Sequence, residues 1–354
     1  MSAARADRLA ALLAERELDA VLVTDPTNLR YVTGFTGTNG LALVGAAQRV
    51  FVTDFRYVDQ AAAQVPDFDR LRGTRDLLPD VAEHLVGRVG FDDAHLSVRT
   101  HRRLEELAGD GVELVPAGGL VEGLRAVKDT DELRSIREAA ALVDDVYEHL
   151  CARGLVGRTE REVAHDLEHT MRERGAEGPS FPTIVAGGAH GALPHASPRP
   201  EPIEPGTLVI VDMGCVLDGY CSDCTRTFAT GRLSEAAAAV YDVVLDAQRA
   251  ALGAVRPGVG GAAADAVARE LISAAGHGER FGHGLGHGVG LEVHEGPRLS
   301  PTSDDELAPG NVVTVEPGVY VSGELGVRIE DLVALTADGA EVLSGFPKTL
   351  VTVG

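Results

Sequence analysis

Apolar positions recur on a helical period over residues 6–16 and then run together over 19–23, predicting an amphipathic helix followed by a short buried strand. Residues 40–44 and 50–53 are apolar again at hairpin distance and read as paired strands. Residues 81–86 return to the helical period and 88–91 to the extended one. This alternation over residues 1–125 predicts an α/β domain.

The pattern changes after a hinge at residues 125–130. Asp129-Thr-Asp-Glu132 is a capping box, and the helix it opens can run to Gly154. Thr159-Glu-Arg-Glu162 is a second, opening a helix that stops at Gly175. Two helices in a row, a Pro/Gly-rich loop and then strands mark residues 128–354 as a domain of different, α+β build. This second domain also repeats itself. Pro205-Gly-Thr-Leu-Val-Ile-Val-Asp-Met-Gly214 aligns with Pro309-Gly-Asn-Val-Val-Thr-Val-Glu-Pro-Gly318, with five of ten positions identical at an offset of 104. Such a repeat predicts two helix-then-hairpin halves about a pseudo-two-fold axis, with Asp212 in one half matching Glu316 in the other.

Composition narrows the functions. The 354 residues exceed one usual core, 44% of them are apolar, and 32 basic against 54 acidic residues leave a net charge of −22. That charge disfavours nucleic acid and anionic membrane surfaces as partners, and the absence of Trp disfavours a base-stacking face. The N-terminal apolar run is cut short by Glu15, no stretch is long enough to span a bilayer, and four cysteines are too few for a disulfide scaffold. The expected location is the cytoplasm.

Chemistry concentrates in three places. Asp218-Gly219 between β-favouring runs is a hairpin turn signal, which pairs Leu217 with Tyr220 and Asp212 with Thr225. Asp223 then lies one diagonal step from Asp212 on the same face, where two carboxylates repel unless a cation separates them. In Phe281-Gly-His-Gly-Leu-Gly-His-Gly-Val-Gly-Leu-Glu-Val-His294, glycine at every second position excludes a helix and lets backbone approach a ligand or another strand. His283, His287 and His294 lie in that strip. Glu316 ends an apolar strand, where an unpaired carboxylate is costly. Glu330 lies in another, with Arg328 on its face as the expected ion-pair partner.

Summed, Asp212, Asp223, His287, Glu316 and Glu330 are candidate ligands for two divalent cations, whose charge four carboxylates would balance. Oxygen-rich ligation with one imidazole suits Mn²⁺ or Co²⁺, with Zn²⁺ or Fe²⁺ as alternatives. Two such ions ~3.5–4 Å apart would activate a bridging water and polarise a carbonyl. Cys221 and Cys224 point to opposite faces of an extended strand and read as packing.

Together these motifs resemble the metallopeptidases of the pita-bread fold, the family of methionine aminopeptidase, aminopeptidase P and prolidase. The resemblance covers residues 128–354: the Asp-x-Gly…Asp hairpin, His-Gly-Leu-Gly-His, Glu-Pro-Gly-x-Tyr and Arg-Ile-Glu-Asp. A preceding α/β domain is similar to that of the proline-specific branch, as are Tyr31-Val-Thr-Gly-Phe-Thr-Gly-Thr-Asn-Gly40 and Phe51-Val-Thr-Asp-Phe-Arg-Tyr57. The resemblance implies the creatinase/prolidase type of N-terminal domain and a homodimer.

It also implies roles. Asp223 and Glu330 would bridge both ions, and Glu316 would shuttle the proton. His195 and His294 would contact the scissile carbonyl, His283 would line the proline subsite, and Arg328 would stand beside the metal ligands. The leading expectation is an Xaa-Pro aminopeptidase acting on peptides with proline second. The alternative is an Xaa-Pro dipeptidase. A metal-free creatinase-like enzyme and a non-catalytic binding module are remote, because relatives of those kinds lack the ligand set.

Overall fold

A computed structural model describes residues 2–354. The chain divides into two compact units, residues 1–125 and 126–354.

The first unit is built on β1 (Ala20–Val23), β2 (Gly40–Gly45), β3 (Arg49–Thr53), β4 (Asp69–Arg72), β5 (Arg88–Phe91) and β6 (Glu113–Pro116), in the order β4-β3-β2-β1-β5-β6. β2 runs antiparallel to both neighbours, and the remaining pairs are parallel. Its helices are α1 (Ser2–Leu13), α2 (Pro26–Thr33), α3 (Val58–Gln64), α4 (Leu78–Ala82), α5 (Val98–Leu107) and α6 (Leu120–Ala126). The helix expected over 81–86 lies earlier, because Pro79 sits in the first turn of α4, where its missing N–H costs nothing. The two family-like stretches have structural work here. Asp25 caps α2, Gly34 ends it at φ 80°, and Phe35 packs edge-on against Phe51 at 4.8 Å.

The second unit opens with α7 (Thr130–Arg153) and α8 (Glu160–Glu173), and both capping boxes form. Strands β7 (Gly178–Pro179), β8 (Ile184–Gly187), β9 (Leu208–Met213), β10 (Cys215–Leu217), β11 (Tyr220–Cys221) and β12 (Cys224–Ala229) follow. The pattern then repeats with α9 (Glu235–Ala254), α10 (Gly261–Ala274), β13 (Gly286–Gly288), β14 (Glu295–Leu299), β15 (Val312–Val315), β16 (Gly318–Val321), β17 (Leu325–Arg328), β18 (Asp331–Thr336) and β19 (Gly339–Val342). The aligned decapeptides hold β9, central in β12-β9-β8, and β15, central in β14-β13-β15-β18-β19. Each half has its own core: Val143, Tyr147 and Leu167 of α7 and α8 meet Val209 and Val211, whereas Val244, Ala264 and Ala268 of α9 and α10 meet Val313 and Val315.

Local chemistry sets the strand geometry around the site. Asp218 (φ 50°) and Gly219 (φ 81°) both adopt the left-handed conformation their hairpin turn demands. Leu217 faces Tyr220 and Asp212 faces Thr225, the register read from the sequence, although the two pairs belong to different sheets. In the glycine strip, a Cβ on Gly286 would lie 2.1 Å from the Thr314 carbonyl oxygen. Gly286→Ala must therefore push β13 off β15. We expect it to destabilise the protein by about 2 kcal/mol or more, read as a lower denaturant midpoint at unchanged slope. An unchanged midpoint would contradict this packing.

Candidate metal and catalytic site

The ten sequence-predicted roles fall on nine residues, and all nine line one cavity of about 620 Å³: His195, Asp212, Asp223, His283, His287, His294, Glu316, Arg328 and Glu330. Each comes from a different point in the repeat. Asp212 is the penultimate residue of β9, Asp223 lies in the link between β11 and β12, His287 is the middle of β13, Glu316 follows β15, and Glu330 lies between β17 and β18. Single ligand atoms of Asp223, His287 and Glu330 all lie within 4.8 Å of one another. His287 Nε2 stands 3.3 Å from a Glu316 oxygen and 3.7 Å from one of Asp223.

The hydrogen bonds define which atoms are left for a ligand. His287 Nδ1 donates to the Gly288 carbonyl at 3.1 Å, which leaves Nε2 facing the carboxylates of Glu316 and Asp223. Arg328 Nη2 donates to Asp212 Oδ2 at 2.5 Å, while Asp212 Oδ1 is buried with no partner among the described residues. Arg328 Nε also donates to Thr225 Oγ1, which donates to Glu330 Oε2 at 2.7 Å. Behind Glu330, the buried Arg226 donates to its carbonyl oxygen and pairs with Asp331. The partner of Arg328 is thus Asp212, not the Glu330 expected from the shared strand face. Glu330 lies beyond the end of β17, where strand alternation no longer governs direction.

The electrostatics point the same way. Burial and the neighbouring carboxylates push Asp223 and Glu330 well above the usual carboxylate range. Burial also raises Asp212, against the opposing charge of Arg328. Glu316 is buried too, yet hydrogen bonding and charge from His287 outweigh that and bring it down to about 2. His287 is raised, because the Glu316 hydrogen bond and charge outweigh its own burial. An orphaned carboxylate oxygen, an imidazole nitrogen aimed at acidic groups and carboxylates whose mutual repulsion raises their pKa are what a divalent cation would relieve, so the residues present fit one.

The rest of the wall is polar on one side and apolar on the other. His283 Nδ1 donates to the Gly284 carbonyl, burial lowers its basicity, and its Nε2 meets the Tyr320 hydroxyl at 2.9 Å. Arg328 Nη1 donates to that hydroxyl, so the chain Arg328–Tyr320–His283 holds a neutral imidazole toward the cavity. His294 packs edge-on to His287 at 4.3 Å and is likewise lowered by burial. Phe181, Pro182, Ile184 and Pro194 supply the apolar side. Sequence reading passed over Tyr320, although it closes the Glu-Pro-Gly-x-Tyr motif. It also passed over Arg298, which carries no local signal.

Clustered acidic ligands, neutral imidazoles and a mixed cavity define a metal-dependent hydrolase site. The comparisons with known proteins make the class specific. Residues 134–337 match metallopeptidase family M24, and residues 5–127 match the creatinase/prolidase N-terminal domain. A solved Xaa-Pro dipeptidase from Bacillus anthracis superposes with a TM-score of 0.97 at 38% identity, covering 100% of both chains. An X-Pro aminopeptidase from Thermotoga maritima gives 0.88 at 35%, covering 96% of this chain and 99% of its own. The Xaa-Pro dipeptidase of Pyrococcus furiosus is 33% identical over 98% of this chain and 99% of its own. The chain therefore belongs to metallopeptidase family M24: it is a metal-dependent peptidase whose sequence carries a creatinase-type N-terminal domain followed by a pita-bread catalytic domain. Among the described residues, no helix is long and apolar enough to cross a membrane.

Proposed function

We propose that the chain is an Xaa-Pro dipeptidase. Asp212, Asp223, His287, Glu316 and Glu330 would hold two divalent ions, with Mn²⁺ suited to one imidazole among four carboxylates. When bound, such ions supply Lewis acidity and a lowered pKa for the attacking water. The protein's own groups supply the rest. Glu316 is ionised, so a carboxylate oxygen takes a proton from the attacking water and returns it to the proline nitrogen as the C–N bond breaks. Its ionised state at neutral pH follows from the position opposite His287. His195 and His294 donate to the carbonyl oxygen as charge develops there. His283, held neutral, offers its ring face to the pyrrolidine. Arg328 donates to Asp212 and opposes the effect of its burial.

The observation that carries the dipeptidase over the aminopeptidase is Arg298. It stands on β14 directly across from His287, lines the cavity, and its guanidinium has no hydrogen-bond or ion-pair partner among the described residues. An Xaa-Pro dipeptide ends in a carboxylate that such a guanidinium pairs; a longer peptide carries a neutral amide there. The names of the Bacillus anthracis and Pyrococcus furiosus relatives support the same choice.

The test compares Xaa-Pro, Xaa-Pro amide and Xaa-Pro-Xaa as substrates, with chelator and with Mn²⁺ restored. The dipeptide should be preferred and its hydrolysis should require the metal. Arg298→Ala should raise KM for the dipeptide about 10- to 100-fold, leave kcat near wild type, and remove the preference over the amide. Tripeptides cleaved as readily as dipeptides would return the reading to the aminopeptidase.

A further inference from the structure

One buried carboxylate outside the site is connected to it by an entire loop. Glu160, the first residue of α8, is 2% exposed and is not among the residues lining the cavity. Its two oxygens accept from the Gly187 backbone N–H at 3.0 Å, from His190 Nδ1 at 2.8 Å and from the Arg199 backbone N–H at 3.0 Å. The Arg199 guanidinium adds contacts at 3.2 and 3.3 Å. Gly187 and Arg199 are the two ends of the segment that leaves β8 and carries Pro194, His195 and Ala196 along the cavity wall. The middle of the loop is held separately: Arg328 Nη1 donates to the Pro194 carbonyl, and Gly191 packs so closely that a Cβ on Gly326 would lie 1.8 Å from its oxygen.

We propose that Glu160 is a positioning residue for His195, its carboxylate clasping both ends of the 188–198 loop so that the imidazole is presented at one fixed place on the wall. The inference rests on the reading of His195 as a group that contacts the scissile carbonyl. The chemistry of the clasp explains why an acid stands there. Every group facing the carboxylate is a donor, so an acceptor-only side chain satisfies both backbone N–H groups, the imidazole and the guanidinium at once. Its negative charge also lies in the first turn of α8, where the helix dipole favours it. An amide in its place turns a donor toward donors. His195 itself is exposed and has no hydrogen-bond partner among the described residues, so its position depends on the backbone that carries it.

The experiment is a double-mutant cycle on the metal-loaded enzyme with an Xaa-Pro dipeptide, joined to amide hydrogen exchange. Glu160→Gln should lower kcat about 10- to 100-fold with KM and bound metal unchanged, and Glu160→Asp should recover part of the loss. In the His195→Ala background, Glu160→Gln should cost no further kcat. Exchange at the Gly187 and Arg199 amides should accelerate at least tenfold in Glu160→Gln. If that variant folds poorly, Arg199→Ala loosens the same clasp from its solvent side and should lower kcat in the same His195-dependent way. Equal kcat losses from Glu160→Gln with and without His195, or unchanged amide exchange, would overturn the positioning role alone. Wild-type turnover by His195→Ala would instead remove the reading on which it rests.

Discussion

Asp223→Asn is expected to fold normally and to lose hydrolysis by a factor on the order of 10³ or more, with metal content falling in the same preparations. The substitution keeps the shape of the side chain and removes its charge. Without metal, burial and the charges of Glu330, Asp212 and Glu316 push Asp223 toward its neutral form, which asparagine resembles. Thermal stability of the metal-free protein should therefore be unchanged or higher. That separation of outcomes identifies a ligand: a structural residue loses stability and activity together, a ligand loses only binding and turnover. Glu330→Gln should behave the same way, because burial and Glu316 raise its pKa for the same reason. Wild-type turnover and metal content in either variant would refute the shared role of the two carboxylates.

Metal removal should reveal the electrostatic cost of the site, and the cost should grow with pH. Asp223 and Glu330 have folded pKa values raised above the ordinary 3.8 and 4.5. As pH climbs past those unfolded values, the unfolded chain releases protons that the folded chain retains, so stability falls. His287 acts in the same direction at higher pH. Its pKa is raised above 6.5, so its contribution is complete below that value and is lost as pH rises through the folded one. Glu316, depressed to about 2, stabilises above its unfolded 4.5 and loses that contribution only on strong acidification.

The metal-free protein should thus unfold at progressively lower temperature between about pH 5 and 8. Mn²⁺ bound at these carboxylates would replace the retained protons, so its stabilisation should widen over the same interval. At a hundredfold excess over Kd it should reach about 2.7 kcal/mol, roughly 5–10 °C in Tm for a domain of this size. Calorimetry of chelated and Mn²⁺-loaded samples checks both the size and the slope. A gap that narrows with rising pH would contradict the crowded-carboxylate account.

Much of the site was legible because its determinants are local. A hairpin register depends on the turn residues and the alternation beside them, so Asp218-Gly219 was enough to set Asp212 across from Thr225. Capping boxes satisfy their own backbone groups within one turn, so both helix starts could be read directly. The repeat related Asp212 to Glu316, since duplicated strands carry their terminal residues to equivalent ends. The helix expected over residues 81–86 was displaced because Pro79 governs where that turn begins, and a bare periodicity does not register it.

The sequence by itself determined the change of pattern near residue 125, the register of the Asp212 hairpin, the glycine strip and a set of acidic and imidazole side chains that line one cavity. Each is decided by neighbours a few positions away or by a repeat visible at fixed offset. Only the tertiary structure decided the partners of the charges: Arg328 with Asp212 rather than Glu330, Tyr320 between Arg328 and His283, Glu160 at both ends of the His195 loop, and Arg298 on the cavity wall with no partner among the described residues. A buried charge pairs with whatever donor or acceptor the folded chain brings within about 3 Å, and Arg328 and Asp212 lie 116 positions apart. No local pattern encodes that meeting, because it is produced by the packing of whole elements.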